Sequence, residues 1–152
     1  IDVSIVPAKR DQGGIVDFPR NPLILETESG NIKIIPVSVM DIVNKSFQFS
    51  GGGFLRFLPR MLIDCGFRQN NNSGRSVMSF IHPREINPNH PRLSFSLLKR
   101  IRYYAGIGTV EKKLNHLFET YNFTTVSNAY KDNTNLPRYV LDESNEIAKI
   151  GH

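Results

Sequence analysis

Ser79-Phe80-Ile81-His82-Pro83-Arg84-Glu85 is the stretch that decides how this chain is read. An apolar run delivers a histidine to the edge of a loop, and the proline after it sets the backbone there. A residue before proline is pushed out of the helical region, so His82 reads as the end of a strand over 77–81. In α/β folds the carboxyl ends of strands face the place where ligands bind. Imidazole titrates closest to neutrality, so a histidine held there suits a proton donor or acceptor. Glu85 follows three residues later and is placed to orient the ring or tune its proton affinity. The plainer reading is a strand-end histidine that bonds only a loop carbonyl, and spacing alone does not separate the two.

Outward from that stretch, the chain reads as one α/β unit. Its 152 residues are 39% hydrophobic and 22% charged, enough for one domain with a proper core. Residues 3–8 read as a short strand, and 23–27 with 32–35 flank Ser29-Gly30-Asn31 as a hairpin. After Pro36, residues 37–40 read as the same strand continuing with a bend. A helix is predicted from Pro59 to a stop at Gly66, then a polar loop over 69–74. Pro83, Pro88 and Pro91 make 84–91 an irregular loop. Leu93, Leu97, Leu98, Ile101 and Tyr104 recur at helical spacing, as do Leu114, Leu117, Phe118 and Tyr121 after a Thr109 N-cap. Both stripes read as core faces. Residues 123–126 read as a closing strand, and from Lys131 onward a loose tail or late helix is expected.

Composition excludes several functions. Nineteen basic and 14 acidic residues give a net charge of +5, a weak bias toward anionic partners. Lys99, Arg100 and Arg102, followed by Tyr103 and Tyr104, form the densest basic cluster, read as a solvated helix face. No recognition motif accompanies it, so no nucleic-acid partner is expected. No run is apolar and long enough to span a bilayer, and no signal peptide is visible. Cys65 stands alone on a predicted helix and reads as core. Of the histidines, His116 falls on a polar helix side and His90 in a loop. With His82 and His152 they form no close pair on a helix, so no metal site is expected from this chain unaided. No Gly-x-Ser-x-Gly elbow or triad order appears. Gly51, Gly52 and Gly53 lie between a strand and a helix, with Arg56 close behind. They suit either an anion- or sugar-contacting loop or a plain tight turn.

Several separated segments together resemble one family. Asp2-Val3-Ser4-Ile5-Val6-Pro7, Ser50-Gly51-Gly52-Gly53-Phe54-Leu55-Arg56-Phe57-Leu58-Pro59 and His82-Pro83-Arg84-Glu85 occur in this order. Asn87-Pro88, Pro91-Arg92 and Arg102-Tyr103-Tyr104 join them. The set is similar to the C-terminal half of bacterial polysaccharide deacetylases of the NodB-homology type, in a branch found with extracellular-polysaccharide genes. The resemblance implies the C-terminal part of a distorted (β/α) barrel with a β-hairpin insertion. It would occupy residues 1–130, with 131–152 a polar tail. It also implies a hydrolase that removes acetyl groups from N-acetylated sugars with the help of a divalent metal, usually zinc. His82 would then be the general acid, and Gly51, Gly52, Gly53, Arg56, Arg84 and Glu85 would bind or border the sugar. Val3 stands where relatives have a serine, and Arg84 where many have tryptophan. The family's paired aspartates and His-x-x-x-His ligands belong to an earlier region that nothing in this chain matches. The expected partners are thus an N-acetylated oligo- or polysaccharide and an N-terminal half of the same enzyme, and the isolated chain is expected to be inactive. A non-catalytic carbohydrate-binding or structural module is the alternative.

Overall fold

Leu23, Leu25 and Ile34 alternate toward one side and close on Phe18, which makes the hairpin the best determined local unit. In the computed structural model, which describes residues 1–9, 14–89, 91–131, 135–141 and 147–149, it consists of β1 (Leu23–Thr27) and β2 (Gly30–Ile34). The strands are antiparallel, with Leu23 opposite Ile34 and Thr27 opposite Gly30. The N-terminal segment runs beside β2 in extended form but is not the strand expected over 3–8. It is held at separate points, by Ile35 N–H on the Asp2 carbonyl and Val37 N–H on the Ile5 carbonyl, each 2.8 Å. Pro7 and Pro36 lack the N–H that a continuous ladder needs.

After Pro36 the chain leaves that sheet. Residues 39–48 form a second antiparallel pair, β3 (Val39–Ile42) and β4 (Lys45–Gln48), rather than a bent continuation of β2. Val43 and Asn44 make the turn with φ of 44° and 59°. Two successive left-handed residues match the twist of a tight hairpin, but Val-Asn carries none of the glycine signal that marks such turns in sequence.

Two helices follow the triglycine, α1 (Gly53–Phe57) and α2 (Arg60–Asn72). Pro59 does precede α2, but Gly66 does not end it. A Cβ on Gly66 would lie 2.5 Å from the Phe49 ring, so this glycine marks close packing of the helix on that ring. The predicted polar loop over 69–74 is corrected for the same reason: its first residues are the last turn of α2. Asn70 there is buried and donates to the carbonyls of Val39 (3.0 Å) and Gly66 (2.9 Å).

The remaining elements are α3 (Pro83–Ile86), α4 (Leu97–Tyr104), α5 (Ile107–Thr120), α6 (Val126–Ala129), β5 (Arg138–Leu141) and β6 (Ile147–Lys149). The irregular loop over 84–91 therefore opens with a helical turn. Gly106, at φ 78°, is the N-cap of α5 in place of Thr109. A Cβ at Gly106 would meet the Arg56 carbonyl oxygen at 2.6 Å. The closing strand over 123–126 is not formed. Instead Thr125 Oγ1 accepts from the Asn128 N–H and starts α6. The expected tail supplies strands: β5 pairs parallel with β1 and antiparallel with β6, giving the order β2-β1-β5-β6. Tyr139 on β5 packs against the Leu23, Leu25 and Ile34 cluster, which is why this edge is occupied.

The main core is Met40, Phe49, Leu55, Ile63, Phe67, Val110 and Leu117, joining β3, α1, α2 and α5. Each large side chain buried there contributes about 2 kcal/mol through removal of apolar surface from water. Only one of the two predicted stripes feeds this core. On α5, Leu117 is buried and Leu114 half-buried, although Phe118 is exposed. On α4 the stripe points outward, with Leu97 70% and Leu98 81% exposed. The chain is thus a mixed α/β unit with two small sheets, and the described residues form no closed barrel. Among them, no helix is long and apolar enough to cross a membrane.

Candidate functional site

The two segments singled out in the sequence meet in space. From β4 the backbone enters the triglycine, where Gly51 pairs with Phe80 in an isolated parallel bridge. A Cβ on Gly51 would sit 2.6 Å from the Phe80 carbonyl oxygen, so only glycine permits the approach. The Gly52 N–H donates to that same carbonyl at 3.1 Å, and its φ of 56° again favours glycine. Gly51 and Gly52 are buried, and the Gly52 amide is already spent on protein. Only Gly53 faces a cleft.

The strand expected over 77–81 is not formed: Phe80 makes only the isolated bridge to Gly51, and the segment is otherwise tied by scattered bonds. The Met78 N–H donates to Ser38 Oγ at 2.8 Å, and Ser50 Oγ donates to the Met78 carbonyl at 2.7 Å. His82 follows with φ −90° and ψ 146° as the N-cap of α3, the extended geometry that Pro83 imposes. It is exposed, and its ring meets the Phe80 ring edge-on at 5.7 Å. Glu85 is buried, at 3% exposure. Its Oε2 accepts the His82 backbone N–H at 3.1 Å, while its own N–H donates to the His82 carbonyl at 2.9 Å. The glutamate therefore fixes the backbone that carries the histidine.

Beside this junction lies a cleft of about 620 Å³ walled by Gly53, Phe54, Arg56, Phe57, Arg84, Lys99, Arg102 and Tyr103. The structure thus brings Gly53, Arg56 and Arg84 together, whereas His82 and Glu85 are not part of that wall. Arg56 is 8% exposed and its guanidinium is largely committed. It donates to the carbonyls of Tyr103 (2.6 Å) and Arg102 (3.1 Å) at the end of α4. A cation suits the negative end of a helix dipole. Burial draws its proton affinity below the usual arginine range, and the charge of Glu85 opposes that shift. Lys113 does for α1 what Arg56 does for α4, donating to the carbonyls of Leu55, Arg56 and Leu58, each at 2.9 Å. Arg84 is exposed and lies with its Cζ 5.6 Å from the Tyr103 ring centre.

Sequence reasoning missed Lys99, Arg102, Tyr103, Phe54 and Phe57 as cleft residues. The signal lies in the basic run of α4, whose composition alone reads as a solvated face. Two other readings are corrected. Cys65 is exposed rather than core. His116 is not simply solvated: its Nε2 lies 3.0 Å from both carboxylate oxygens of Asp64, tying α5 to α2. Asp2 is occupied locally, accepting from the N–H and Oγ of Ser4 at 2.7 Å, and those bonds lower its pKa. His90, His152, Arg10, Asp11 and Gly13 lie outside the described residues. Among the described residues, no group of three or more His, Cys, Asp or Glu side chains is arranged to hold a metal ion.

A family model described as Domain of unknown function (DUF3473) matches residues 3–131. No curated protein and no solved structure matches the chain.

Proposed function

We propose, starting from the fact that the chain belongs to the family described as Domain of unknown function (DUF3473), that it is part of a polysaccharide N-deacetylase. In this reading it hydrolyses acetamido groups on N-acetylated sugars together with a preceding segment of the polypeptide, as the C-terminal part of a barrel. The observation that carries the reading is the junction at Phe80. There the triglycine and Phe80, two residues before His82 and far away in sequence, are joined backbone to backbone.

The role of this chain is proton transfer and sugar positioning. His82 is exposed and anchored through its backbone to buried Glu85. It is suited to give a proton to the amine nitrogen as the carbon–nitrogen bond breaks. Gly53, Arg56 and Arg84 wall the adjoining cleft, with Arg56 acting chiefly as the brace that sets α4 against α1. The zinc implied by the resemblance does not fit the residues described, among which no group of three or more His, Cys, Asp or Glu could hold it.

The test is N-deacetylation of a chito-oligosaccharide by the full-length protein and its His82→Ala variant. A loss of about a hundredfold or more is expected for removal of a general acid, and unchanged turnover removes the role. A second reading, a carbohydrate-binding module without catalysis, is favoured by one observation: His82 is not on the wall of the cationic cleft. Sugar binding with no deacetylation in the full-length protein would select it.

A further inference from the structure

The cleft beside Gly53 has four cationic side chains on its wall, Arg56, Arg84, Lys99 and Arg102, and no carboxylate. Arg56 is offset by the carbonyls at the end of α4. The other three have no such offset. Among the described residues, Arg84, Lys99 and Arg102 take part in no ion pair, and Arg84 has only the Tyr103 ring beneath it. Glu85, a buried carboxylate behind the wall, gives Oε2 to the His82 backbone, and its charge acts on Arg56. Like charges gathered on one concave wall repel one another and raise the local concentration of anions. The rest of the wall is aromatic: Phe57 and Tyr103 carry the Arg56 and Arg84 guanidinium groups over their rings, and Phe54 stays partly exposed beside them. A bare ion gains nothing from such a ring, whereas a sugar ring stacks on it through its C–H face. A volume of about 620 Å³ also falls in the range of small-molecule sites.

We infer that this cleft binds an anionic saccharide, a sugar carrying a carboxylate or a phosphate, with Arg84, Lys99 and Arg102 meeting the charge and Phe54 the ring. The inference deepens the carbohydrate reading above and rests on it. It names acidic sugars as the class held next to the reacting unit.

The full-length protein is titrated calorimetrically with N-acetylglucosamine, N-acetylglucosamine 1-phosphate, a galacturonate trimer, inorganic phosphate and an oligothymidylate. At least one anionic sugar should bind about tenfold or more tightly than the neutral sugar, with affinity falling as salt is raised. Preference for the phosphate sugar points to a phosphorylated donor, and preference for the uronate to an acidic polymer. In a Lys99→Gln/Arg102→Gln double variant, both positions being exposed, the preference should fall to within about twofold at unchanged thermal stability. The inference is overturned if neutral and anionic sugars bind alike or not at all. It is also overturned if the double variant keeps the preference, if inorganic phosphate equals the sugar phosphate, or if an oligothymidylate binds more tightly than either sugar. Deacetylation is assayed separately, so loss of that activity with the binding preference intact would sink the enzymatic reading alone.

Discussion

The Arg56 guanidinium donates to the Tyr103 carbonyl oxygen at 2.6 Å, and through that bond the helix after the triglycine is locked to the end of α4. The same side chain reaches the Arg102 carbonyl, and Gly106 lies close enough to the Arg56 carbonyl that no Cβ fits between them. Arg56 therefore builds the cleft more than it contacts what enters it.

Replacing Arg56 tests that role. Arg56→Ala strips two carbonyls of their donor in a buried setting and should cost about 2 kcal/mol or more in urea unfolding. Arg56→Lys should recover only part of this, because an ammonium lacks the planar fork that spans two carbonyls. A loss below about 0.5 kcal/mol for the alanine variant would show the brace to be dispensable.

Gly66 offers a contest between local and tertiary effects. By helix propensity alone, Gly66→Ala inside α2 should stabilise by about 1 kcal/mol. The Phe49 ring, 2.5 Å from where the new methyl would go, reverses the sign. A net loss of about 1–3 kcal/mol is expected from overpacking. A Phe49→Leu background should shrink the loss, and a double-mutant cycle measures the coupling.

Arg20 forks onto Asp41, at 2.6 and 2.9 Å, and holds its carboxyl below the ordinary value of 3.8. Because the folded pKa lies below the unfolded one, the stabilisation is fully present above pH 3.8 and fades as pH falls through the lowered value. The pair is over a third exposed on the Asp41 side, so its contribution is only about 0.5 kcal/mol. Arg20→Gln should remove this increment at neutral pH, and the gap between the two proteins should close in acid. A gap that persists at acid pH would refute the assignment.

His82 and Glu85 should separate by stability. His82 is exposed, so His82→Ala should shift unfolding by less than about 0.5 kcal/mol, in contrast to the loss of deacetylation expected under the proposed role. Glu85 is buried and holds the His82 N–H, so Glu85→Ala should cost about 2 kcal/mol. Glu85→Gln, which keeps an acceptor oxygen, should retain most of the stability. Equal losses for alanine and glutamine would mean that the charge facing Arg56, and not the hydrogen bond, is what matters.

Two readings that depend on one residue and its neighbours in sequence held. Pro83 dictates an extended His82 whatever surrounds it, and alternating Leu23, Leu25 and Ile34 with a Ser-Gly turn dictate a hairpin. Where a residue's meaning lies in a distant partner, the sequence was silent. A glycine in a helical run reads equally as a stop or as a gap for a neighbour, and only Phe49 decides between them at Gly66. Helical periodicity defines an apolar face but not what covers it, so α4 and α5 looked alike while only α5 turns that face inward. Local sterics and charge are carried by the chain itself. Which cations share a cleft, and which are spent on carbonyls, depends on segments brought together only by folding, and that closure created the wall of Arg84, Lys99 and Arg102.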